Sequence, residues 1–489
     1  MTRRWLFADQ LGPHFLATPD QPVLLVESTG VLARRRYHRQ KAHYVLAGLR
    51  SRARELGEQA VYRIAPTYGE MVRERGEELE VPTPTSRAAE ALVARLPGVT
   101  VVPSPYTATS REDFLRWTAG RKRLLLEDFY RWQRVRHEIL VEGSEPVGGT
   151  WNLDHDNREP PPRTGRLDVV EPWWPVETDV DAEVREHLDR LERDGLAEFR
   201  GVDGPRRFAV TREEALAALG WFIRHRLAAF GPHEDAMLKE DWAMAHSTLS
   251  PALNLGLLQP IEVVTAAEAA YRRGDAPLNS VEGFVRQVLG WREYVWGVYW
   301  WAGESYRERN ALAARTPLPQ WFWDLDAEHV EAACLSDVLA GVRDRGWVHH
   351  IPRLMVLGNW ALQRGYDPAE LADWFHWSFL DGYGWVMAAN VIGMSQHADG
   401  GLMATKPYAS GGAYINRMSD YCAGCAYDPA VRVGDDACPF TAGYWWFLDR
   451  NAARLAGNHR MARALAGRHR LRDLPQLLEQ ETHRGDAPP

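Results

Sequence analysis

The sequence predicts an α/β domain on a parallel sheet, with helices on both faces, followed by a larger all-α domain. Three observations carry this. The first 130 residues alternate short apolar runs with helical patterns, residues 142–176 turn to Gly, Pro, Asn and Asp, and the pattern from about 183 onward is helical with short loops. The boundaries are drawn at 1–135 for the α/β domain, 136–182 for the connector and 183–489 for the helical domain. In the first part RWLF, PVLLVES, AVYRIAP and VTVVPSP read as buried strands. Between them, residues 37–56 repeat Tyr37, Leu46, Leu49, Ala53 and Leu56 near helical spacing. That rhythm is βαβ, and it implies parallel pairing. No G-x-G-x-x-G follows the first strand, where ADQLGP stands, so the dinucleotide fingerprint is absent. In the connector three consecutive prolines, Pro160 to Pro162, exclude helix and central strand.

The composition narrows the function classes. With 45% hydrophobic and 25% charged residues, the 489-residue chain has the make-up of an ordinary globular protein with a large core. A net charge of −8 argues against a protein that coats nucleic acid indiscriminately. No secretory apolar segment follows the first arginines and no run is long enough to span a bilayer, so a cytoplasmic protein without membrane contact is expected. There thiols stay reduced, and four cysteines point to metal or redox chemistry rather than to two disulfides. Residues 31–54 hold eight Lys or Arg and no acid, and 450–472 hold seven Arg and no acid. Either stretch is a solvated helix face or a contact for phosphate.

Four groups of residues carry chemistry. Cys422 and Cys425 form a CxxC pair, Cys438 follows and precedes a proline, and Cys334 lies far upstream. Soft thiolates in this number suit an iron–sulfur cluster or zinc, and spacing leaves both open. In HSTLSPALNLGLL, Ser247 and Ser250 offer hydroxyls beside a helix start, a natural phosphate site. Taken alone, Ser250 before Pro251 reads as a plain helix cap. The segments EGFVRQVLGWREYVW and GWVHHIPRLMVLGNW mix Arg, Glu and His with aromatic residues, a combination that lines pockets. On a helix His350 and Arg353 share a face, whereas His349 points about 100° away.

Together with GMSQHADGG, KPYASGGAYINRMSDYCAGC, the N-terminal WLFADQL and the connector GGTWNLDHDNR, these motifs resemble the iron–sulfur bacterial cryptochrome and photolyase family over essentially the whole chain. The resemblance implies the photolyase/cryptochrome architecture, FAD, a [4Fe-4S] cluster and a 6,7-dimethyl-8-ribityllumazine antenna. It implies light-dependent repair of (6-4) photoproducts in ultraviolet-damaged DNA by a monomer. Carried over, Cys334, Cys422, Cys425 and Cys438 would ligate the cluster. Ser247, Leu249, Ser250 and Asn254 would hold the flavin phosphates and ribityl chain, and Glu282, Arg286, Trp291, Arg353 and Asp381 the isoalloxazine. His350, with His349 behind it, would face the lesion as the proton donor. Asp9, Gln10, Glu27 and His38 would form the antenna site, and Trp374 would join an electron-transfer chain.

Two positions depart from the family pattern. Met387, in WVMAAN, stands where the family has a glutamate facing the flavin, and a thioether donates no proton. Pro352 replaces a glutamine and removes a helical hydrogen bond beside His350. Met387 favours the alternative of a blue-light photoreceptor without repair. A zinc-stapled DNA-binding protein is the third reading, and it would leave the pocket motifs without a purpose.

Overall fold

A computed structural model describes residues 1–489. Five parallel strands, β1 (Arg3–Leu6), β2 (Val23–Ser28), β3 (Ala60–Ala65), β4 (Leu79–Pro82) and β5 (Val99–Val102), form one sheet in the order β3-β2-β1-β4-β5. Side chains alternate across it. Trp5, Leu24, Val26, Leu79 and Val81 pack with Met71 and Val72 of helix Tyr68–Arg75 and Val93 of helix Arg87–Val93. Leu6, Val23 and Leu25 point the other way, toward Leu46 and Leu49 of helix Arg39–Leu56. That second core runs on without a break into Val184 and Leu188 of helix Asp179–Arg193 and Phe208.

Two strand expectations need correction. The sequence reading omits β4, because LEVP is four residues long and carries Glu80, whose carboxylate meets Arg4 at 3.0 Å. β3 and β5 are not buried strands: each has a single neighbour, and Ile64 and Val101 are both 49% exposed. Edge position explains this, since an outer strand lacks cover on its free side.

Within the basic stretch at 31–54, Arg34 and Arg35 are exposed, but the charges from Arg39 onward are neither a solvated face nor a free phosphate site. Arg39 pairs with Asp189 and Glu192 and approaches Asp203 at 3.4 Å, while Arg50 holds Glu27 at 3.0 Å and Arg54 pairs with Glu183. Lys41 is buried and donates to the carbonyls of His376 and Gly382. Burial pushes its ammonium down to about 7. Arg39, Lys41 and Arg54 thus fasten helix Arg39–Leu56 to the helical part and Arg50 ties it to β2, so their number says nothing about nucleic acid.

After residue 178 the chain is helical, and no helix is long and apolar enough to cross a membrane. Between the two parts lie a minimal hairpin, Val141–Glu142 with Glu145–Pro146, and short 3-10 turns. Three helices widen into π-helical turns, at Arg286–Arg292, Pro352–Gly358 and Ala388–Ser395. Pro352 opens the second of these, and the helix continues to Arg364, so the proline widens the turn without ending the helix.

The loop after β1 docks on the helical part through Leu11, whose N–H donates to the Leu255 carbonyl at 3.0 Å. The turn depends on Gly256, which has φ +68° and whose missing Cβ would lie 2.6 Å from the Asp9 carbonyl. Gly57 has a similar φ of +54° with no atom within 4 Å. With ψ −126° it lies outside the left-handed helical region, so Gly57→Ala is expected to cost about 1–3 kcal/mol of backbone strain. Gly256→Ala adds a clash and costs about 1–3 kcal/mol more, read as the separation of the two urea midpoints.

Candidate functional site

The helical part encloses a cavity of about 910 Å³, and all three π-helical turns contribute to its wall, through Arg286 and Trp291, Arg353, and Val391. An extra residue per turn spreads a helix and turns side chains and carbonyls aside, which is why such turns gather at functional sites. Ser247, Ser250, Asn254, Asp381 and Met387 line the same cavity. Leu249 and Glu282 lie behind the wall, 2% and 1% exposed.

One carboxylate organises the polar wall. Asp381 receives two hydrogen bonds from the Arg353 guanidinium, at 2.8 and 3.1 Å, and one from Ser250 Oγ at 2.6 Å. Its backbone carbonyl accepts from Asn254 Nδ2 at 2.9 Å, and Trp347 Nε1 donates to Ser250 Oγ at 3.3 Å. The Ser250 hydroxyl is thus committed to Asp381 and does not cap its helix, whose cap position is Leu249. The preceding segment is strained. Met244 has φ +43° and Thr248 has φ +55°, a conformation that β-branched residues avoid.

Arg286 is ringed by three carboxylates, Asp154 and Glu234 at 3.2 Å and Glu282 at 3.3 Å. Asp154 is partly exposed and also pairs with Arg158, whereas Glu234 and Glu282 are buried, and burial raises Glu234 to about 8 despite Arg286, with Asp235, Asp154 and Glu282 adding to the rise. A carboxylic acid therefore stands in the wall at neutral pH, and its Oε2 is buried without a partner. Glu282 also accepts from the Leu153 N–H at 2.9 Å. The stretch read as a connector thus supplies part of the wall: Trp151, Asn152, Asp154 and Arg158 all line the cavity.

At the opening, His350 is exposed and its Nε2 lies 3.8 Å from Asp235, while His349 is buried beside it. Arg131, Arg158, Lys406, Arg417 and Arg460 are the exposed cations among the lining residues, against one exposed acid, Glu127. The opening is therefore positive on a chain of net charge −8. Of the second basic stretch only Arg460 reaches it. Arg450 packs over Trp446, 4.3 Å from the ring, and Arg468 binds Asp449 at 3.0 Å.

The four cysteines converge on a second, small cavity with Ala332, Gly412, Ile415, Tyr421, Tyr427, Pro439 and Phe440. None is in a disulfide. Burial, then the neighbouring sulfurs, raises Cys334 far above the ordinary thiol range and Cys422 to about 12. Such thiols ionise together only around cationic metal, so the donor set fits a thiolate-bound centre. Gly412 is required by the same cavity, because a Cβ there would lie 2.7 Å from Cys438 Sγ.

The remaining sequence candidates lie outside both of these cavities. Asp9 accepts from Thr85, and Gln10 donates to the carbonyls of Pro82 at 3.1 Å and Thr83 at 3.3 Å. Burial alone would raise Glu27, but His187, Arg50 and Tyr62 hold it down at about 2. His38 sits 2.9 Å from the Arg343 carbonyl and accepts from the Gln40 N–H at 3.1 Å. Trp374 is fully buried, donates to the Phe322 carbonyl at 2.9 Å, and touches the cavity only through Phe375, 5.0 Å from its ring. Sequence reasoning missed Glu234, Asp235, Asp154 and His246. The run HED at 233–235 and the histidine of HSTLS were its only signals.

Comparison with known proteins agrees with this geometry. A family model described as deoxyribodipyrimidine photo-lyase-related protein matches residues 4–200. The chain is 44% identical over 360 residues to a (6-4) photolyase of Agrobacterium fabrum, covering 73% of this chain and 69% of that protein. Its fold is similar to a bacterial class III photolyase from Agrobacterium tumefaciens, with TM-score 0.57 and 16% identity over 93% of this chain and 98% of that one. A Synechocystis cryptochrome is similar at TM-score 0.52 and 13% identity, over 80% and 82% of the two chains. Sequence identity across most of both proteins, on a sheet domain joined to a helical domain with a large cavity, makes the chain a member of the bacterial cryptochrome/photolyase family.

Proposed function

We propose that the chain is a light-dependent DNA repair enzyme, a (6-4) photolyase with FAD in the large cavity and a [4Fe-4S] cluster on the four cysteines. The observation that carries this is the opening of the cavity, where His350 is exposed opposite Asp235 within a rim of five exposed cations. Photolyases and cryptochromes typically bind FAD, and the residues present fit it. The cavity is large, its wall mixes apolar and polar side chains, and the buried Oε2 of Glu234 lacks a partner there. Ser247, Ser250, Asn254, Arg286, Trp291, Arg353, Asp381 and Met387 would hold the cofactor. When bound, reduced FAD supplies the light-driven electron.

The protein's own residues do the rest. The cationic rim takes DNA phosphates and positions the duplex without reading sequence. A damaged, poorly stacked nucleotide is the cheapest to turn out of the helix into the cavity. His350 then holds a proton at the opening for the oxygen substituent that moves during repair. His349 and the aromatic wall behind it exclude water. Asp9, Gln10, Glu27 and His38, which make internal bonds in this structure, would hold the antenna, and no step of the repair chemistry requires it.

The photoreceptor reading keeps one specific observation, Met387, 4% exposed in the cavity wall where the resemblance expects a glutamate. A deletion strain separates the two: loss of a repair enzyme lowers survival after ultraviolet exposure followed by blue light, whereas loss of a receptor changes light-dependent gene expression and leaves survival intact.

Three outcomes test the repair reading. Reduced holoprotein is expected to clear (6-4) lesions from an oligonucleotide under blue light only, and His350→Asn to slow this by about 10²–10⁴-fold, the usual contribution of a general acid. A reduced wild type that repairs nothing would sink the assignment. Lys406→Ala and Arg460→Ala should each flatten the salt dependence of DNA binding by a slope of about 1, equally for damaged and undamaged duplex. Metal analysis should find iron and acid-labile sulfide in equal amounts, both lost with Cys425→Ser; zinc without iron would overturn the cluster.

A further inference from the structure

The cavity opening holds a third histidine, contributed by the strained segment that precedes Ser250. The His246 ring lies flat on His349, with centroids 4.2 Å apart and an interplanar angle of 22°, and edge-on to His350 at 5.3 Å and 82°. His349 and His350 are 6.0 Å apart. Ring nitrogens of all three lie within 4.8 Å of one another, close enough to raise the question of a metal ion. The stack answers it. Imidazole lone pairs lie in the ring plane, so two nearly parallel rings direct them side by side, not toward a common point. The cluster is built to handle a proton.

We propose that His246 is a positioning residue that keeps a proton added to this three-imidazole cluster on His350, the ring at the opening, and off His349. The inference rests on the photolyase reading, in which His350 is the acid.

The charged groups around the cluster support it. Arg226 lies behind His246 and donates to the carbonyls of Val170, Met244 and His246, the last at 3.4 Å, which fixes the segment. Arg353 presents a second cation from the π-helical turn. Phe230 closes the far side of His246, 5.7 Å away and edge-on. Burial first, then the neighbouring histidines and arginines, holds His246 and His349 well below the ordinary imidazole range. His246 Nε2 and His349 Nδ1 are buried with no hydrogen-bond partner, so no carbonyl rewards a proton there. The one carboxylate at the cluster, Asp235, faces His350. A proton taken by His349 would place two cations side by side or leave His350 neutral. The flat His246 ring prevents this by keeping water away from His349.

The test is a pH titration of the holoprotein labelled with ¹³C at histidine Cε1, with the His349 signal identified by its loss in His349→Asn. In the wild type that signal should stay unshifted between about pH 8 and pH 5, where a solvated imidazole titrates. In His246→Ala water reaches His349, and its midpoint should rise toward about 6.5. His246→Asn, a smaller cavity, serves equally if the alanine variant does not fold. His246→Phe keeps a flat ring without nitrogen and should restore the silent signal. Titration of His349 in the wild type, silence in both small variants, or a phenylalanine variant that behaves like alanine would each overturn the proposal. These outcomes do not depend on repair, so failure of the wild type to repair (6-4) lesions would be separately visible.

Discussion

The paired hydrogen bonds between Arg353 and Asp381 are the constraint on which the site depends. Two other segments meet the same carboxylate residue: Ser250 and Asn254 of one helical turn bond it directly and Trp347 reaches it through Ser250. Both charged side chains are largely buried, at 17% and 6% exposure. Loss of either partner would leave the other charge uncompensated, a larger penalty than the pair contributes. The pair therefore fixes how the π-helical turn at 352–358 sits against the turn at 250–254, and with it the direction in which His350 leaves the wall.

The distribution of charge follows the same logic. Acids are concentrated inside, where Glu234, Glu282 and Asp154 surround Arg286, and cations are placed on the rim. A negatively charged chain thereby presents a positive opening. The arginines of the first helix serve a different end, joining the sheet domain to helix Asp179–Arg193 through Asp189, Glu192 and Glu183. The cysteine cavity, built from Cys334 on one helix and three cysteines after residue 418, holds the far side of the helical part together.

Much of this was legible in the sequence wherever local spacing carries the signal. The βαβ rhythm, the helix at 37–56, the CxxC pair and the HSTLSP and HHIPR motifs are all short-range patterns, and the structure brings the cysteines to one cavity and the two motifs to another. What escaped depends on distant partners. LEVP becomes a strand because β1 and β5 pair with it, and Asp154 joins the site because residues 286 and 282 come to meet a segment with no regular structure of its own. Lys41 and Arg39 look solvated in sequence and are buried because acids and carbonyls more than 140 residues away receive them. His246 gains its place only when the stretch at 349–350 stacks on it. π-helical turns have no compositional signature, so the feature that widens the cavity is visible only in the backbone.

The most direct test of the central claim is the crystal structure of the holoprotein bound to a duplex containing one (6-4) lesion. The duplex is expected to cross the opening over Arg158, Lys406, Arg417 and Arg460, with the damaged bases turned into the cavity and His350 within hydrogen-bond distance of the lesion. A duplex bound on another face, or damaged bases left stacked in the helix with His350 untouched, would contradict the account.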